Sequence, residues 1–344
     1  MLMKRIIRYL PALAILTLLT VACTEEIKFT GEKIDPKIVI YSLLQPENVI
    51  TVSVAKSHAV FEERYVPKQI TDAVVKLYRD GEFIETLTYV APEPQSDYYQ
   101  AMPYSEYVSQ EVKPVYGSTY RIEVEMAGMK KASGETRLPD IIPVIGLDTT
   151  EDMQAEGYLL MEAKVRFSDP GGENNFYRIA ARSSEGVYYG DKSVPWSPEI
   201  PVTIYESDIS YASDNDPVIT PRKEEQDLFD MQVQNTYHIF SDDLIAGKEY
   251  ALTLEINLRR PDTDYYEFSL FNFELQSITE DLYMYLRTSS AHMQTNDAFI
   301  TEPVLVYTNI ENGLGVVGAM SSSTVTLRIG EYPVEGVTYE YSKY

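Results

Sequence analysis

Ala73-Val74-Val75-Lys76-Leu77-Tyr78-Arg79-Asp80-Gly81-Glu82-Phe83-Ile84-Glu85-Thr86-Leu87-Thr88-Tyr89-Val90 reads as two strands joined by a tight turn. Asp-Gly supplies the positive φ angles that such a turn needs. Outward from this hairpin the same alternation recurs. Lys37–Leu44 is an apolar run closed by Gln45-Pro46-Glu47-Asn48, and Ile50-Thr51-Val52-Ser53-Val54 has the period of two that marks a half-buried strand. Downstream, Tyr120, Ile122, Val124 and Met126 alternate with Arg121, Glu123 and Glu125; Gly128 ends that run and Lys131–Leu138 returns. About seven strands with little helical periodicity predict a small β-sandwich over residues 37–138.

Pro139 and Pro143 bracket an extended connector into a second β-rich region, residues 139–344. Leu159–Phe167 turns at Asp169-Pro170-Gly171-Gly172 and resumes at Phe176–Ala181. Tyr250, Leu252, Leu254, Ile256 and Leu258 alternate cleanly, and Tyr265–Leu275 is aromatic-rich. Between these lies a polar, proline-containing stretch, residues 189–235, expected as a long loop. One helix is expected at about residues 278–292: Ser277 and Glu280 match a capping box, with Leu282, Tyr285 and Leu286 following at helical spacing. Three strands close the chain, Val304–Thr308, Val316–Met320 and Thr324–Ile329. The expected fold class is mainly β, two β-sandwich-like domains with one helix inserted in the second. Twenty-eight tyrosines suit half-exposed strands, which bury one ring face and wet the hydroxyl.

The start of the chain carries a different signal. Lys4, Arg5 and Arg8 precede an almost uncharged stretch, Leu10–Ala22, too short for the ~20 apolar residues of a membrane-spanning helix. Residues 1–22 therefore read as an export signal. Cys23, the one cysteine of the chain, follows at once in Thr20-Val21-Ala22-Cys23, which looks like a lipobox with Thr20 in place of the preferred Leu. Acylation of Cys23 would hold the protein to a membrane, each buried CH₂ contributing ~0.8 kcal/mol. Residues 23–36 then serve as a tether. A net charge of −24, more negative still without residues 1–22, excludes nucleic acid as a partner, since phosphates require a basic face.

Chemistry is harder to find. Of the three histidines, His58, His238 and His292, none lies in an H-E-x-x-H arrangement, and no G-x-S-x-G elbow exists. No catalytic residue and no cofactor are expected. Gly313-Leu314-Gly315-Val316-Val317-Gly318 matches G-x-G-x-x-G, but a β-favouring run follows where the dinucleotide mechanism needs a helix N-terminus; the glycines fit a turn or close strand packing instead. Asp214 and Asp216 are oxygen-rich candidates for a hard cation, as are Asp242-Asp243 and Asp169 with Glu173, against the alternative that they initiate turns. Tyr188, Tyr189 and Trp196 are candidates for a ligand platform on which a glycan ring could stack, and Tyr98, Tyr99, Tyr104 and Tyr107 crowd another segment.

Four segments carry a resemblance: Val74–Leu87; Phe167-Ser168-Asp169-Pro170-Gly171-Gly172 through Ile179; Phe240-Ser241-Asp242-Asp243; and Glu302-Pro303-Val304 through Asn309-Ile310-Glu311-Asn312-Gly313-Leu314-Gly315. Together the chain resembles the outer-membrane lipoproteins of domain-of-unknown-function family 4249. The first sandwich is expected to be immunoglobulin- or transthyretin-like; the resemblance implies the carboxypeptidase-regulatory or transthyretin-like kind and a gene neighbour encoding a TonB-dependent receptor. It implies no established activity, so no site residue is carried over. Thr24-Glu25-Glu26 after the cysteine is similar to the acidic pattern of lipoproteins sent to the cell surface. The expected function is a non-catalytic accessory of such a receptor in nutrient binding or uptake at the outer membrane. A structural or adhesive surface protein is the alternative. A carbohydrate-active hydrolase is a third, requiring two carboxylates across one cleft.

Overall fold

A computed structural model describes residues 35–58, 69–91, 105–153, 158–191, 202–208, 211–213, 215–220, 234–259, 265–296, 304–330 and 339–341. These are mainly β. In chain order the strands are β1 (Ile38–Leu44), β2 (Thr51–Lys56), β3 (Val74–Arg79), β4 (Glu82–Thr86), β5 (Thr88–Val90), β6 (Ser105–Val108), β7 (Thr119–Glu125), β8 (Ala132–Arg137) and β9 (Val144–Met153). They continue as β10 (Tyr158–Ser168), β11 (Phe176–Asp191), β12 (Val202–Asp208), β13 (Tyr211–Ala212), β14 (Ile239–Ser241), β15 (Glu249–Arg259), β16 (Tyr265–Ile278), β17 (Gly313–Gly330) and β18 (Tyr339–Tyr341). The described residues hold one helix, α1 (Glu280–Asn296).

The opening hairpin forms as its sequence dictates. Asp80 (φ 52°) and Gly81 (φ 84°) make the turn between β3 and β4, and both positive angles match what Asp-Gly adopts readily. The strand alternation read around Tyr120–Glu125 is also the observed one, with Tyr120, Ile122 and Val124 fully buried.

Three sheets result. A long sheet runs β18-β12-β11-β16-β17-β1-β2-β6-β5, with β14 paired to β11. Two four-stranded sheets, β4-β3-β7-β8 and β13-β15-β10-β9, complete the layers. The first core packs Ile38, Ile40, Val52 and Val54 of the long sheet with Val75, Leu77, Ile122 and Val124 of the first small sheet. The second packs Tyr177, Ile179, Phe271 and Phe273 with Val165, Phe167, Leu252 and Leu254.

One strand enters both. Residues 313–319 of β17 pair in parallel with β1, and residues 320–330 pair antiparallel with β16. By its alternation β17 gives Val317 and Ala319 to the first core and Val325, Leu327 and Ile329 to the second. The region expected at 139–344 thus lends its residues 310–319 to the first core.

Two local expectations shift. The long polar stretch 189–235 contains regular structure: β11 continues to Asp191, and β12 and β13 fall inside it. Pairing of β12 against β11 across Arg182–Val187 supplies the order that an apolar pattern did not announce. The helix begins at Glu280 rather than 278 and runs on to Asn296, beyond 292. Ser277 belongs to β16, opposite Ser321, because the strand ladder claims it before a cap can form. Thr279 takes the N-cap place, its carbonyl accepting the Tyr283 N–H at 2.9 Å.

Helix α1 lies on the outer face of the long sheet, away from the second core. Leu282 packs there with Ile239, Ile278 and Met320, while Phe176 and Tyr283 meet at 4.8 Å between ring centroids. No helix among the described residues is long and apolar enough to cross a membrane.

Candidate ligand pocket and the motifs around it

A cavity of about 490 Å³ opens where α1 meets the turn 217–220 and the segment 234–244. Each wall is held by hydrogen bonds between side chains and main chain. Asp216, 1% exposed, organises the first. Its Oδ1 accepts the Val218 N–H and the Tyr250 hydroxyl, both at 2.9 Å, and its Oδ2 accepts the Thr253 N–H at 2.8 Å. Three donors stabilise a carboxylate that burial would otherwise penalise. Tyr250, half-buried against this acceptor, keeps its proton far above the usual tyrosine range.

Asn235 holds the second wall. Its Nδ2 donates to the carbonyls of Ile219 (3.0 Å) and Ile239 (2.7 Å), and its Oδ1 accepts the Ile239 N–H at 3.1 Å. Between them the chain passes through His238 at φ 51°, whose ring lies 4.4 Å from Tyr211 and whose Nδ1 is 3.0 Å from the Ser213 hydroxyl. The helix closes the third side. Ser290 Oγ donates to the Gln234 carbonyl at 3.1 Å, and Gln294 Nε2 donates to the same oxygen at 2.8 Å. Tyr283, Arg287, Ser290 and Ala291 line the cavity from α1 at i, i+4, i+7 and i+8, one face of the helix. Tyr237, Ser241 and Asp243 face them, so the described lining holds one guanidinium, one carboxylate and two phenols.

Beneath the pocket the Asp-Pro-Gly-Gly and Ser-Asp-Asp segments are zipped together. Asp169 Oδ2 accepts the N–H groups of Gly171 (2.9 Å) and Gly247 (2.7 Å), while Oδ1 accepts the Tyr177 hydroxyl. Tyr177 stacks on Phe240 at 5.2 Å, and its pKa is raised well beyond the ordinary range by burial and by this acceptor. Gly171 has φ 69°, and a Cβ there would lie 2.9 Å from the Gly247 Cα, so the two loops touch through bare backbone. Asp242 is bound likewise, accepting Asn175 Nδ2 at 3.2 Å.

The Asn309–Gly318 stretch is a buckle, not a phosphate loop. Asn309 donates to the Val317 carbonyl (2.8 Å) and accepts the Val317 N–H (3.0 Å), imitating a strand partner. Glu311 bridges Ser133 through both main-chain groups, at 2.7 and 3.2 Å. Gly313, Gly315 and Gly318 all lie in or at the start of β17, where a helix N-terminus would be needed for a pyrophosphate. Gly315, at φ 102°, lets the Ile40 carbonyl approach where a Cβ would stand.

Other candidates are dispersed. Tyr188 and Tyr189 belong to the backbone of β11; Trp196, Asp214 and Cys23 lie outside the described residues, as do Tyr98, Tyr99 and Tyr104. Tyr107 is 2% exposed, its hydroxyl donating to the Ile70 carbonyl at 2.8 Å, so it is a strut of the first core rather than a stacking surface. Asp216 and Asp169 spend their oxygens on main-chain and tyrosine donors, the turn-building role. No group of three or more His, Cys, Asp or Glu among the described residues is placed to hold a metal ion.

The family model described as a domain of unknown function (DUF4249) matches residues 24–326. The chain belongs to this family. The DUF4249 match spans both sandwiches, and the four segments that carried the resemblance fall within it. No curated protein matches the chain. Among solved structures, a Salmonella alpha-2-macroglobulin variant is similar at 9% identity and a TM-score of 0.22, over 92% of this chain and 16% of that one. A likeness so low carries no argument.

Proposed function

We propose that the chain is a lipid-anchored outer-membrane protein, facing the cell surface, that binds a small polar nutrient as accessory to a TonB-dependent receptor. The observation that carries the binding role is the pocket of about 490 Å³. Its volume lies in the range of small-molecule sites, and its mixed lining suits a ligand with polar groups around a ring or chain. The described lining offers one carboxylate, Asp243, where glycoside hydrolysis calls for two, which favours binding over cleavage. The anchor follows from Cys23 directly behind an export signal, and the receptor from the family resemblance.

Mild crosslinking in the native membrane followed by purification of this chain is expected to recover a TonB-dependent receptor; its consistent absence overturns the accessory role. For the pocket, native mass spectrometry of the purified protein against a panel of small sugars and amino acids is expected to show a bound species. Arg287→Ala should weaken that species at least tenfold.

A structural or adhesive role is the second reading. β9 favours it, because this ten-residue strand is paired only with β10 among the described residues. Its open edge could receive a partner's strand. Thr149→Pro, which removes a donor from that edge, should then abolish assembly into higher oligomers while the monomer stays folded.

A further inference from the structure

β17 loses a neighbour part-way along. β1 ends at Leu44 opposite Ala319, and from Met320 to Gly330 the one strand paired with β17 among the described residues is β16. The Thr279 N–H bonds the Ala319 carbonyl at 3.1 Å, which sets the phase of the antiparallel ladder that follows. Odd-numbered residues of β17 turn their main-chain groups to β16, so Thr324 and Thr326 turn theirs to the other edge. The connector into β9 passes only the start of that edge. There the Ser321 hydroxyl donates to the Asp140 carbonyl at 3.0 Å, and Ser323 Oγ accepts the Val144 N–H at 2.9 Å. Beyond it, Thr324-Val325-Thr326-Leu327-Arg328-Ile329 favours strand, lacks proline and carries a single charge. Val325, Leu327 and Ile329 face the second core but are only partly buried in it. Natural sheets guard so open an edge or fill it.

We propose that this edge pairs with the same edge of a second copy, antiparallel about a two-fold axis at Thr326, so that two long sheets become one. Three observations select a second copy as the occupant. The first is self-complementarity. About Thr326 the register sets threonine against threonine and Thr324 against Arg328 on the outer face, and Val325 against Leu327 on the inner face, twice over. Each half-buried aliphatic of one copy thereby gains the apolar neighbour that its own sheet does not give it. The second is charge. Residues 320–330 hold no acid in a chain whose net charge is −24, so this edge is a place where two copies meet without acid against acid. The third is what lies beside the edge. Ile141 and Ile145, which flank the residues bonded to Ser321 and Ser323, are 41% and 49% exposed, against the usual burial of such side chains. One strand pair with these flanks covers less than the ~800 Å² that each partner buries in a standard interface. The dimer is therefore weak, and it forms where copies are concentrated.

The test uses the whole chain with Cys23→Ser, which removes its one native thiol. Sedimentation over a concentration series reaching the millimolar range is expected to show a monomer passing into a dimer. Thr326 is exposed, with its hydroxyl donating to Asn272 Oδ1 at 2.7 Å, so its replacement leaves the core untouched. Thr326→Lys and Thr326→Glu each set like charges opposite one another on the axis, and each alone should dimerise at least tenfold more weakly. Mixed in equal amounts, the two variants should dimerise again, lysine against glutamate. Directly opposed residues of a bonded pair stand ~5.5 Å apart at Cα, within disulfide reach. Oxidised Thr326→Cys should therefore give a covalent dimer, and Glu135→Cys, on the outer face of the first small sheet, should not. A wild type that stays monomeric throughout overturns the proposal. So does a dimer that both charged variants leave intact, or a mixture of the two that stays monomeric.

Discussion

Asp169 and Asp216 each gather three donors on two oxygens, and that makes them replaceable by nothing of similar shape. Asparagine keeps one acceptor and turns an N–H₂ toward the remaining donors. Bonds to a buried charge contribute ~1.5–3 kcal/mol each, so Asp169→Asn and Asp216→Asn should each cost about 3 kcal/mol. Equilibrium urea denaturation measures it; midpoints matching the wild type would show that these carboxylates are not struts. Tyr307 supplies a pH dependence. Burial first, and then the Asp281 carboxylate that accepts its hydroxyl, push its pKa up to about 12. Below about pH 10, the ordinary tyrosine value, folded and unfolded chains both hold this proton. Between there and about 12 the unfolded chain releases it while the folded one retains it, so the stability from this residue declines as pH rises through that window. Denaturation midpoints recorded from pH 9 to 12 should fall, and Tyr307→Phe should flatten the slope. At this scale the sequence was read only in part. Aspartates in Asp-Asn-Asp and Asp-Pro-Gly-Gly serve cations and turns with the same oxygens, and only the donors brought from residues 247, 250 and 253 decide between them.

β17 concentrates the elements' constraints. A methyl on Gly315 would collide with the Ile40 carbonyl in a strand already at φ 102°, and the Ile40 backbone, held in its own ladder, cannot yield. Gly318 faces the Leu282 side chain at 3.0 Å, which can shift. Gly315→Ala is therefore expected to remove more than ~4 kcal/mol and leave little soluble protein, whereas Gly318→Ala should cost about 1–2 kcal/mol. Thermal melts of the two variants test the order, and equal losses would contradict it. The elements legible in advance were those with a local signature: Asp80-Gly81 for the hairpin, the Tyr250–Leu258 alternation for β15, Leu282 and Leu286 for α1. Those that escaped lack one. Arg182–Val187 carries serines, glutamate and glycine, and becomes strand because β12 and β16 flank it. The pocket escaped for the same reason, since its three walls come from turn 217–220, segment 234–244 and α1, and nothing local links them.

The molecule as a whole is bound by a strand that neither core can release alone. Disrupting the first core frees residues 313–319 of β17 and so loosens its continuation in the second. Leu77→Ala and Leu254→Ala, one fully buried position in each core, should each cost about 2–5 kcal/mol. Both should lower the same single transition. Calorimetry with coincident fluorescence probes in the two cores measures this, and two separated melts for either variant would refute the coupling. The pairing of β1 with β17 was not legible beforehand, because a parallel ladder between distant segments leaves no mark on either one. It also sets a timetable. A ribosome delivers Ile38 long before Gly313, so the earliest strand must wait for nearly the last one before its sheet is complete. Loop-closure entropy opposes so remote a contact until the whole chain is available. A nascent polypeptide of this design leaves one side of its first strand unpaired through most of its synthesis, and the first core closes only when the chain is nearly complete.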